Sequence, residues 1–229
     1  MLKCIELNAR YGAAHVLFDV NLHIQEGKVL SLMGRNGVGK STLLKTIMGL
    51  VAAHSGTVEF LGRRIEREPA FKIARLGLGY VPEERRVFAD LSVEDNIEVA
   101  QRVGSQWTRH RLYDVFPALL EFRKRPAGLL SGGQQQMLTI ARTLAGGPKL
   151  LLVDEPTEGL APVMVKALEE VIKSLKREGQ TMLIAAQDLR FALAIADDVV
   201  VMDRGHIVHQ VSGELARSDS EQVRALFKF

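Results

Sequence analysis

Residues Gly34 to Ser41 carry the types and spacing of a phosphate-binding loop, because they read G-x-x-x-x-G-K-[ST]. Glycines let successive backbone N–H groups curl around an anion without Cβ clashes, and the unpaired N–H groups of the following helix point toward the same anion. Lys40 adds a compact positive charge for the β- and γ-phosphates, and the Ser41 hydroxyl is a suitable ligand for Mg²⁺. We therefore predict nucleoside triphosphate binding by Gly34, Arg35, Asn36, Gly37, Val38, Gly39, Lys40, Ser41 and Thr42.

A pair of carboxylates, Asp154 and Glu155, follows an apolar run at residues 150–153. Such a run is typical of a buried strand in a parallel sheet, and ligands of open α/β sheets bind at the carboxyl edge where these acids emerge. We expect Asp154 to hold Mg²⁺ together with Ser41, and Glu155 to orient or deprotonate the attacking water. A solvated strand end is the alternative for adjacent acids, and the apolar run in front of them makes it less favoured.

The elements that must position these groups follow from hydrophobic periodicity. A strand at 29–33 precedes the glycine loop, and a helix at 42–48 follows it and ends at Gly49. Further strands are predicted at 2–7, 16–24, 57–61, 78–82, 181–186, 198–202 and 206–210, and further helices at 69–76, 130–144, 162–178, 189–196 and from about 220. Strands that alternate with helices indicate a mostly parallel sheet covered on both faces.

The pattern changes between about residues 84 and 128, where β-branched runs disappear. A helical stretch at 107–122, interrupted by Pro117, lies in this part of the chain. We interpret it as a helical insertion in an α/β core, and assign one domain over residues 1–229 with the insertion at about 84–148. Packing or surface roles are expected for Trp107, His110 and Tyr113.

Composition excludes several classes of protein. The 229 residues have a net charge of +3 without a block of five like charges, so nucleic-acid binding is not indicated. Cys4 is the one cysteine and cannot form an internal disulfide, which fits a reducing compartment. No signal peptide is visible, and no apolar run approaches the ~20 residues that cross a bilayer. We expect a soluble, cytosolic chain that reaches a membrane only through a partner.

The stretch Leu130-Ser131-Gly132-Gly133-Gln134 distinguishes this chain from other proteins with the same glycine loop. Together with the acidic strand downstream, this LSGGQ sequence resembles the signature of the ATP-binding cassette (ABC) family, and the resemblance covers essentially the whole chain. It implies a P-loop NTPase fold of the ABC ATPase type: a mostly parallel core sheet flanked by helices, an antiparallel N-terminal β subdomain and an inserted helical subdomain. It also implies that Ser131, Gly132, Gly133 and Gln134 grip an ATP held by a second subunit, so that two cassettes enclose two ATP molecules head to tail.

Other family positions can be matched to this sequence. Tyr11 corresponds to the aromatic residue that stacks on adenine, and Gly159-Leu160 lie in the loop used for contact across the dimer. Two positions depart from the family pattern: Glu83 stands where a glutamine usually touches Mg²⁺ and senses the transporter, and Gln187 stands where the switch histidine usually lies.

These departures leave the predicted chemistry possible. Gln187 retains an N–H donor for a γ-phosphate, and Glu83 can still ligate Mg²⁺ or its water. Since Glu155 and Lys40 are present, we expect an active ATPase whose catalytic residues are Glu155, Gln187 and Lys40 and whose metal-binding residues are Ser41, Asp154 and Glu83.

Several segments resemble one branch of the family. They look like an ATPase subunit of the branched-chain amino acid importers, and the amide and urea importers fit as well. The segments are Val81-Pro82-Glu83 with Arg85-Arg86-Val87-Phe88, Thr157-Glu158-Gly159-Leu160-Ala161-Pro162, and the glutamine at the switch position. The implied partners are a second ATPase subunit, identical or similar, the transmembrane permease subunits and, indirectly, a periplasmic binding protein, with no nucleic acid. The implied location is peripheral, on the cytoplasmic face of the inner membrane.

Two rival functions stay open from the sequence. One is a cassette that acts on DNA or ribosomes, which the absence of long coiled coils or a second cassette disfavours. The other is a regulatory protein that binds ATP without hydrolysing it, which Glu83 and Gln187 suggest.

Overall fold

The computed structural model describes residues 1–218, and the helix predicted from about Ser220 lies outside them. The strands are β1 (Leu2–Tyr11), β2 (Ala14–Ile24), β3 (Val29–Met33), β4 (Ala53–Phe60), β5 (Arg63–Arg64), β6 (Leu78–Val81), β7 (Leu150–Asp154), β8 (Thr181–Ala186), β9 (Asp198–Asp203) and β10 (His206–Ser212). The helices are α1 (Lys40–Ile47), α2 (Ala70–Leu76), α3 (Val93–Glu98), α4 (Arg109–Val115), α5 (Pro117–Glu121), α6 (Gly132–Ala145), α7 (Pro162–Arg177), α8 (Leu189–Ile195) and α9 (Gly213–Ser218).

Two sheets organise the described residues. The larger one has the strand order β10-β9-β3-β8-β7-β6 and is parallel except for the edge strand β10. The smaller one has the order β2-β1-β4-β5 and is antiparallel. Strands β3, β7 and β8 are buried along their whole length, as expected of central strands with both faces covered. The predicted α/β architecture with an antiparallel N-terminal part is confirmed.

The order of the larger sheet brings the two motifs of the sequence together. Strand β8 lies between β3, which leads into the glycine loop, and β7, which ends at Asp154. Because these strands are parallel, their carboxyl ends meet at one edge of the sheet.

Alternate residues of the central strands divide the apolar core into two clusters. In β7, Leu151 and Val153 belong to a cluster with α6, α7, α8 and the apolar residues of α3 and α4. Leu150 and Leu152 belong to the other cluster, under α1 and the antiparallel sheet. Cys4 lies in this second cluster, where burial raises the pKa of its thiol to about 12. Successive side chains of a strand point to opposite faces, so one strand contributes to both clusters.

Residues 82–149, all of them described, form helices and loops between β6 and β7. The predicted helix at 107–122 is divided at Phe116, because Pro117 begins α5 and has no backbone N–H to continue α4. Trp107 and Tyr113 are buried and His110 is exposed, as expected of packing and surface residues. The assignment of an insertion at about 84–148 within a single domain stays a prediction.

Candidate functional site

The glycine loop is held close to the sheet by backbone contacts that exclude larger residues. A Cβ at Gly34 would lie 2.5 Å from the carbonyl oxygen of Met202 in the neighbouring strand. Gly37 and Gly39 have φ angles of 79° and 112°, in the region that disfavours other residues. Helix α1 starts directly after Gly39, and no side chain caps its first N–H groups. These donors are therefore available to an anion in the loop.

Lys40 stands at the end of the glycine loop, and its side chain packs within that loop. Its amine donates to the carbonyl oxygens of Gly34 at 2.7 Å and Arg35 at 2.8 Å. It also lies 2.9 Å from Oε1 of Glu155, with the two side chains only 4% and 6% exposed. The ion pair joins the glycine loop to the end of β7.

Glu155 occupies an unusual backbone position, with a φ angle of 42° in a residue that is not glycine. Its N–H donates to the carbonyl of Ala185 at 3.0 Å, so the chain leaves β7 only after this bond. Burial raises the pKa of Glu155, although the Lys40 amine acts in the opposite direction. A buried carboxylate with a raised pKa is a stronger base for a neighbouring water.

Asp154 is held by two hydroxyl groups from different elements. The Ser41 hydroxyl donates to Oδ1 at 2.9 Å, and the Tyr80 hydroxyl donates to Oδ2 at 3.0 Å. Burial raises the pKa of Asp154, and these two hydrogen bonds lower it. Ser41 and Asp154, predicted as partners from the sequence, are thus brought into direct contact.

A polar cavity of about 280 Å³ lies over these groups. Its lining consists of Val16, Asn36, Gly37, Gly39, Lys40, Ser41, Thr42, Glu83 and Glu155. Glu83 therefore reaches the same space as Ser41 and Glu155, and its role as a metal ligand stays a prediction. Tyr11 is half-exposed at the end of β1 and does not contribute to this lining.

Gln187 approaches the glycine loop from the end of β8. Its side-chain amide donates to Oδ1 of Asn36, and both residues are exposed. It lines a neighbouring depression with Gly34 and Arg35. The residue at the predicted switch position therefore lies beside the glycine loop. It presents an amide in place of the imidazole of a histidine.

The LSGGQ stretch forms a compact turn at the start of α6. The Ser131 hydroxyl accepts from the Gln134 N–H at 3.4 Å, and the Gln134 side chain accepts from the Ser131 N–H at 2.9 Å. This capping box fixes both side chains and leaves the serine hydroxyl hydrogen free to donate outward. Gly133 packs against Met164, where a Cβ would lie 2.6 Å from the terminal methyl carbon. None of these residues lines the cavity of the glycine loop.

The residues present fit Mg²⁺ that arrives with a nucleotide. No cluster of three or more carboxylate, histidine or cysteine side chains able to hold a metal occurs within residues 1–218. The lining of the cavity instead offers the Ser41 hydroxyl and the Glu83 carboxylate, and the Asp154 carboxylate is in contact with Ser41. Magnesium is commonly held by one or two carboxylates and by phosphate oxygens, which is the donor set such a cavity would complete.

Tyr80 is the site residue that sequence reasoning missed. It lies in β6, and its hydroxyl contacts Asp154 across the β6–β7 pair. The sequence contained no signal for this contact, because the neighbour of β7 is known only once the strand order is known.

Comparison with known proteins agrees with this geometry. A family model described as "ABC transporter" matches residues 17–158. The chain is 39% identical over 217 residues to the high-affinity branched-chain amino acid transport ATP-binding protein BraG of Pseudomonas aeruginosa, covering 93% of each chain. It is 38% identical over 212 residues to a probable branched-chain amino acid transport ATP-binding protein, LivF, of Archaeoglobus fulgidus, covering 90% of each chain.

A solved structure of similar shape extends the comparison. The ADP conformation of MJ1267, an ATP-binding cassette of an ABC transporter, superposes with a TM-score of 0.85 at 25% identity. The match covers 99% of this chain and 97% of that chain. The fold is therefore the same over almost the full length.

Proposed function

The chain belongs to the ABC transporter family and is an ATP-hydrolysing transporter subunit, and from that premise we propose that it drives an importer for branched-chain amino acids or related amides or urea. BraG and LivF each match about nine-tenths of the chain, and both are named for branched-chain amino acid transport. These names support the proposed cargo class. The observation that carries the proposal is the convergence of Lys40, Ser41 and Glu155 at one polar cavity, with the buried Asp154 carboxylate accepting a hydrogen bond from Ser41.

We assign a step in hydrolysis to the residues of this cavity and to Tyr11 and Gln187, which lie outside its lining. The glycine loop and the first N–H groups of α1 bind the phosphates, and Tyr11 stacks on the adenine. When ATP binds, the Lys40 amine leaves its ion pair with Glu155 and contacts the β- and γ-phosphates. The Glu155 carboxylate is then free. Glu155 then takes a proton from the attacking water, while Gln187 donates its N–H to the γ-phosphate.

Ser41 and Asp154 are the proposed ligands of Mg²⁺, directly or through water, with Glu83 as a third. When bound, the cation would neutralise the negative charge that develops on the phosphates during phosphoryl transfer. Tyr80 and Ser41 hold the Asp154 carboxylate in a fixed orientation for this role.

The LSGGQ turn completes the site in a second subunit. Ser131, Gly132, Gly133 and Gln134 are separate from the cavity of their own chain, and the Ser131 hydroxyl hydrogen is free to donate. We assign them to the γ-phosphate of an ATP bound by the partner cassette, with Gly159-Leu160 at the same dimer interface. ATP then closes the dimer, and hydrolysis reopens it.

The proposed partners place the chain at a membrane. No helix within residues 1–218 is long and apolar enough to span a bilayer. Transmembrane permease subunits would receive the motion through the segment from Glu83 to Asn96, and a periplasmic binding protein would deliver the cargo to them. We propose a peripheral position on the cytoplasmic face of the inner membrane.

Phosphate release from the purified chain, with and without its permease subunits, tests the enzymatic part of this proposal. Lys40→Ala should abolish ATP binding, because it removes the buried cation of the loop. Glu155→Gln should bind ATP, fail to turn it over and accumulate a dimer. Normal turnover by Glu155→Gln would show that Glu155 is not the base.

The same assay separates the remaining alternatives. A regulatory protein that only binds ATP would release no phosphate even with its partners. Reconstituted vesicles with binding protein loaded with leucine, a short amide or urea identify the cargo, since only the correct one should stimulate hydrolysis.

A further inference from the structure

Arg85 lies in the loop that joins β6 to α3, two positions after Glu83 of the nucleotide cavity. Its φ angle is 43°, a left-handed conformation that is uncommon outside glycine. The Val87 N–H donates to its carbonyl oxygen at 2.8 Å, which fixes a tight turn. The Arg85 side chain is not part of the lining of the nucleotide cavity of its own chain.

The guanidinium of Arg85 contacts two loops that come from distant parts of the chain. Nη2 donates to the carbonyl oxygen of Glu158, in the loop that follows Glu155. The same nitrogen lies 3.4 Å from the position of a Cβ on Gly159. Nη1 lies against Gly132 of the LSGGQ turn, so closely that a Cβ there would overlap it. One side chain therefore occupies the gap between the two loops.

The contact with Glu158 is a hydrogen bond to a main-chain oxygen, and the contact with Gly132 is packing against a residue without a side chain. Within residues 1–218 no carboxylate forms an ion pair with Arg85. A guanidinium is planar and has several N–H donors in fixed directions, so it can hold two backbone segments at a set separation. Gly132 and Gly159 leave the space that this side chain fills.

We propose that Arg85 is a positioning residue that holds the LSGGQ turn and the 157–161 loop in one arrangement. In the proposed function, on which this inference rests, both loops lie at the dimer interface. A displacement of the 83–88 segment would thereby move both surfaces together. The segment that lines the nucleotide cavity through Glu83 would then govern how readily two copies close.

The test uses the full chain with Glu155→Gln, which should form an ATP-dependent dimer. Adding Arg85→Ala removes the charged donor between the two loops, so the dimer dissociation constant should rise roughly tenfold or more. Light scattering after size exclusion measures this constant at saturating MgATP. Affinity for a fluorescent ATP analogue in the monomer should stay within twofold, because Arg85 does not line the cavity of its own chain. A general loss of structure would weaken dimerisation and ATP-analogue binding together and would lower the melting temperature.

Arg86→Ala is the matched control. It removes the same charge one residue along the chain, and its exposed side chain pairs with Glu84 at 3.4 Å and acts electrostatically on Tyr80. Its dimer should match that of the parent. Arg85→Lys should give partial recovery, because a single ammonium keeps the charge and reaches only one loop.

Three results would overturn the inference. The first is equal dimerisation of the parent and the Arg85→Ala variant. The second is an equal loss in Arg86→Ala, which would assign the effect to net charge. The third is full recovery by lysine. Failure of the Glu155→Gln parent to dimerise at all would instead overturn the proposed two-site function, and this inference with it.

Discussion

At the scale of single residues, the Asp154 carboxylate is held at both of its oxygens by hydroxyl groups. Ser41 comes from the glycine loop and Tyr80 from the adjacent strand. A carboxylate fixed in this way cannot rotate to suit different ligands, and its orientation is set before any ligand arrives. The residue-scale predictions therefore concern how this carboxylate and its neighbour Glu155 are tuned.

Tyr80→Phe should raise the Mg²⁺ concentration that gives half-maximal hydrolysis. The substitution removes one hydrogen bond to Asp154 and keeps the ring, and about 1 kcal/mol for that bond corresponds to about fivefold. Titration of phosphate release against Mg²⁺ at saturating ATP measures the shift. Tyr113→Phe is the matched control, because the Tyr113 hydroxyl is buried without a hydrogen-bond partner in the described structure. Unchanged Mg²⁺ dependence in Tyr80→Phe would show that Asp154 needs no such support.

Hydrolysis should fall on the acid side at a higher pH than for an ordinary glutamate, whose pKa is about 4.3. Burial raises the pKa of Glu155, and a general base works only when deprotonated, so activity is present above that pKa and is lost as the pH falls through it. The kcat measured against pH at saturating ATP gives the position of this limb. A limb at or below the ordinary value would contradict the role of Glu155 as a buried base.

At the scale of elements, the loop between β6 and α3 depends on one buried amide. Asn96 of α3 accepts from the Phe88 N–H at 2.9 Å. It donates to the carbonyl oxygens of Phe88 at 3.0 Å and Ser92 at 2.9 Å. Since the loop has no regular structure of its own, these bonds replace a strand or helix ladder. The same loop carries Glu83 and Arg85, so the amide shapes the segment that reaches the nucleotide cavity.

Asn96→Ala should lower the free energy of unfolding by about 3 kcal/mol, because buried backbone groups lose their partners. Urea denaturation followed by circular dichroism measures the change. Glu98→Ala, on the exposed side of the same helix, should stay within about 0.5 kcal/mol. Equal effects of the two substitutions would mean that the loop is held by other contacts.

Much of this element structure could be predicted from the sequence, and the reason lies in local signals. The apolar runs of β3 and β7, the glycine loop and the capping box at Ser131 depend on near neighbours. Tyr80, Asn96 and Arg85 act through contacts whose partners are distant in the chain or are backbone groups of a loop. No period or motif encodes such a contact, so it becomes visible only with the strand order and the loop path.

At the scale of the whole molecule, both apolar clusters reach the catalytic edge through β7. Leu151 and Val153 face the cluster that contains α6, α7 and α8, and Leu150 and Leu152 face the cluster under α1 and the antiparallel sheet. Protein interiors are densely packed, so a displacement in either cluster is felt by the strand that they share. Asp154 and Glu155 stand at the end of that strand, where both halves of the molecule meet.

Mg²⁺ alone should leave the melting temperature unchanged, whereas MgATP should raise it. The described residues contain no protein-only cluster for the cation, and the proposed ligands need phosphate oxygens to complete the set. A ligand at 100 times its dissociation constant adds about 2.7 kcal/mol to stability. Thermal unfolding with Mg²⁺, with ATP plus chelator, and with both gives the comparison. Strong stabilisation by Mg²⁺ alone would reveal a metal site that the geometry does not account for.

The burial of Cys4 makes the folded chain suited to site-directed labelling. Cys4 is the one cysteine of the sequence, and its thiol has a pKa of about 12, so almost none of it is the reactive thiolate at neutral pH. Maleimide reagents should therefore leave the native protein unmodified without any prior substitution. A cysteine introduced at the fully exposed Val103 would then carry a spin label or fluorophore at one defined position. Two subunits labelled in this way would report, as a distance, each closing and opening of the proposed dimer.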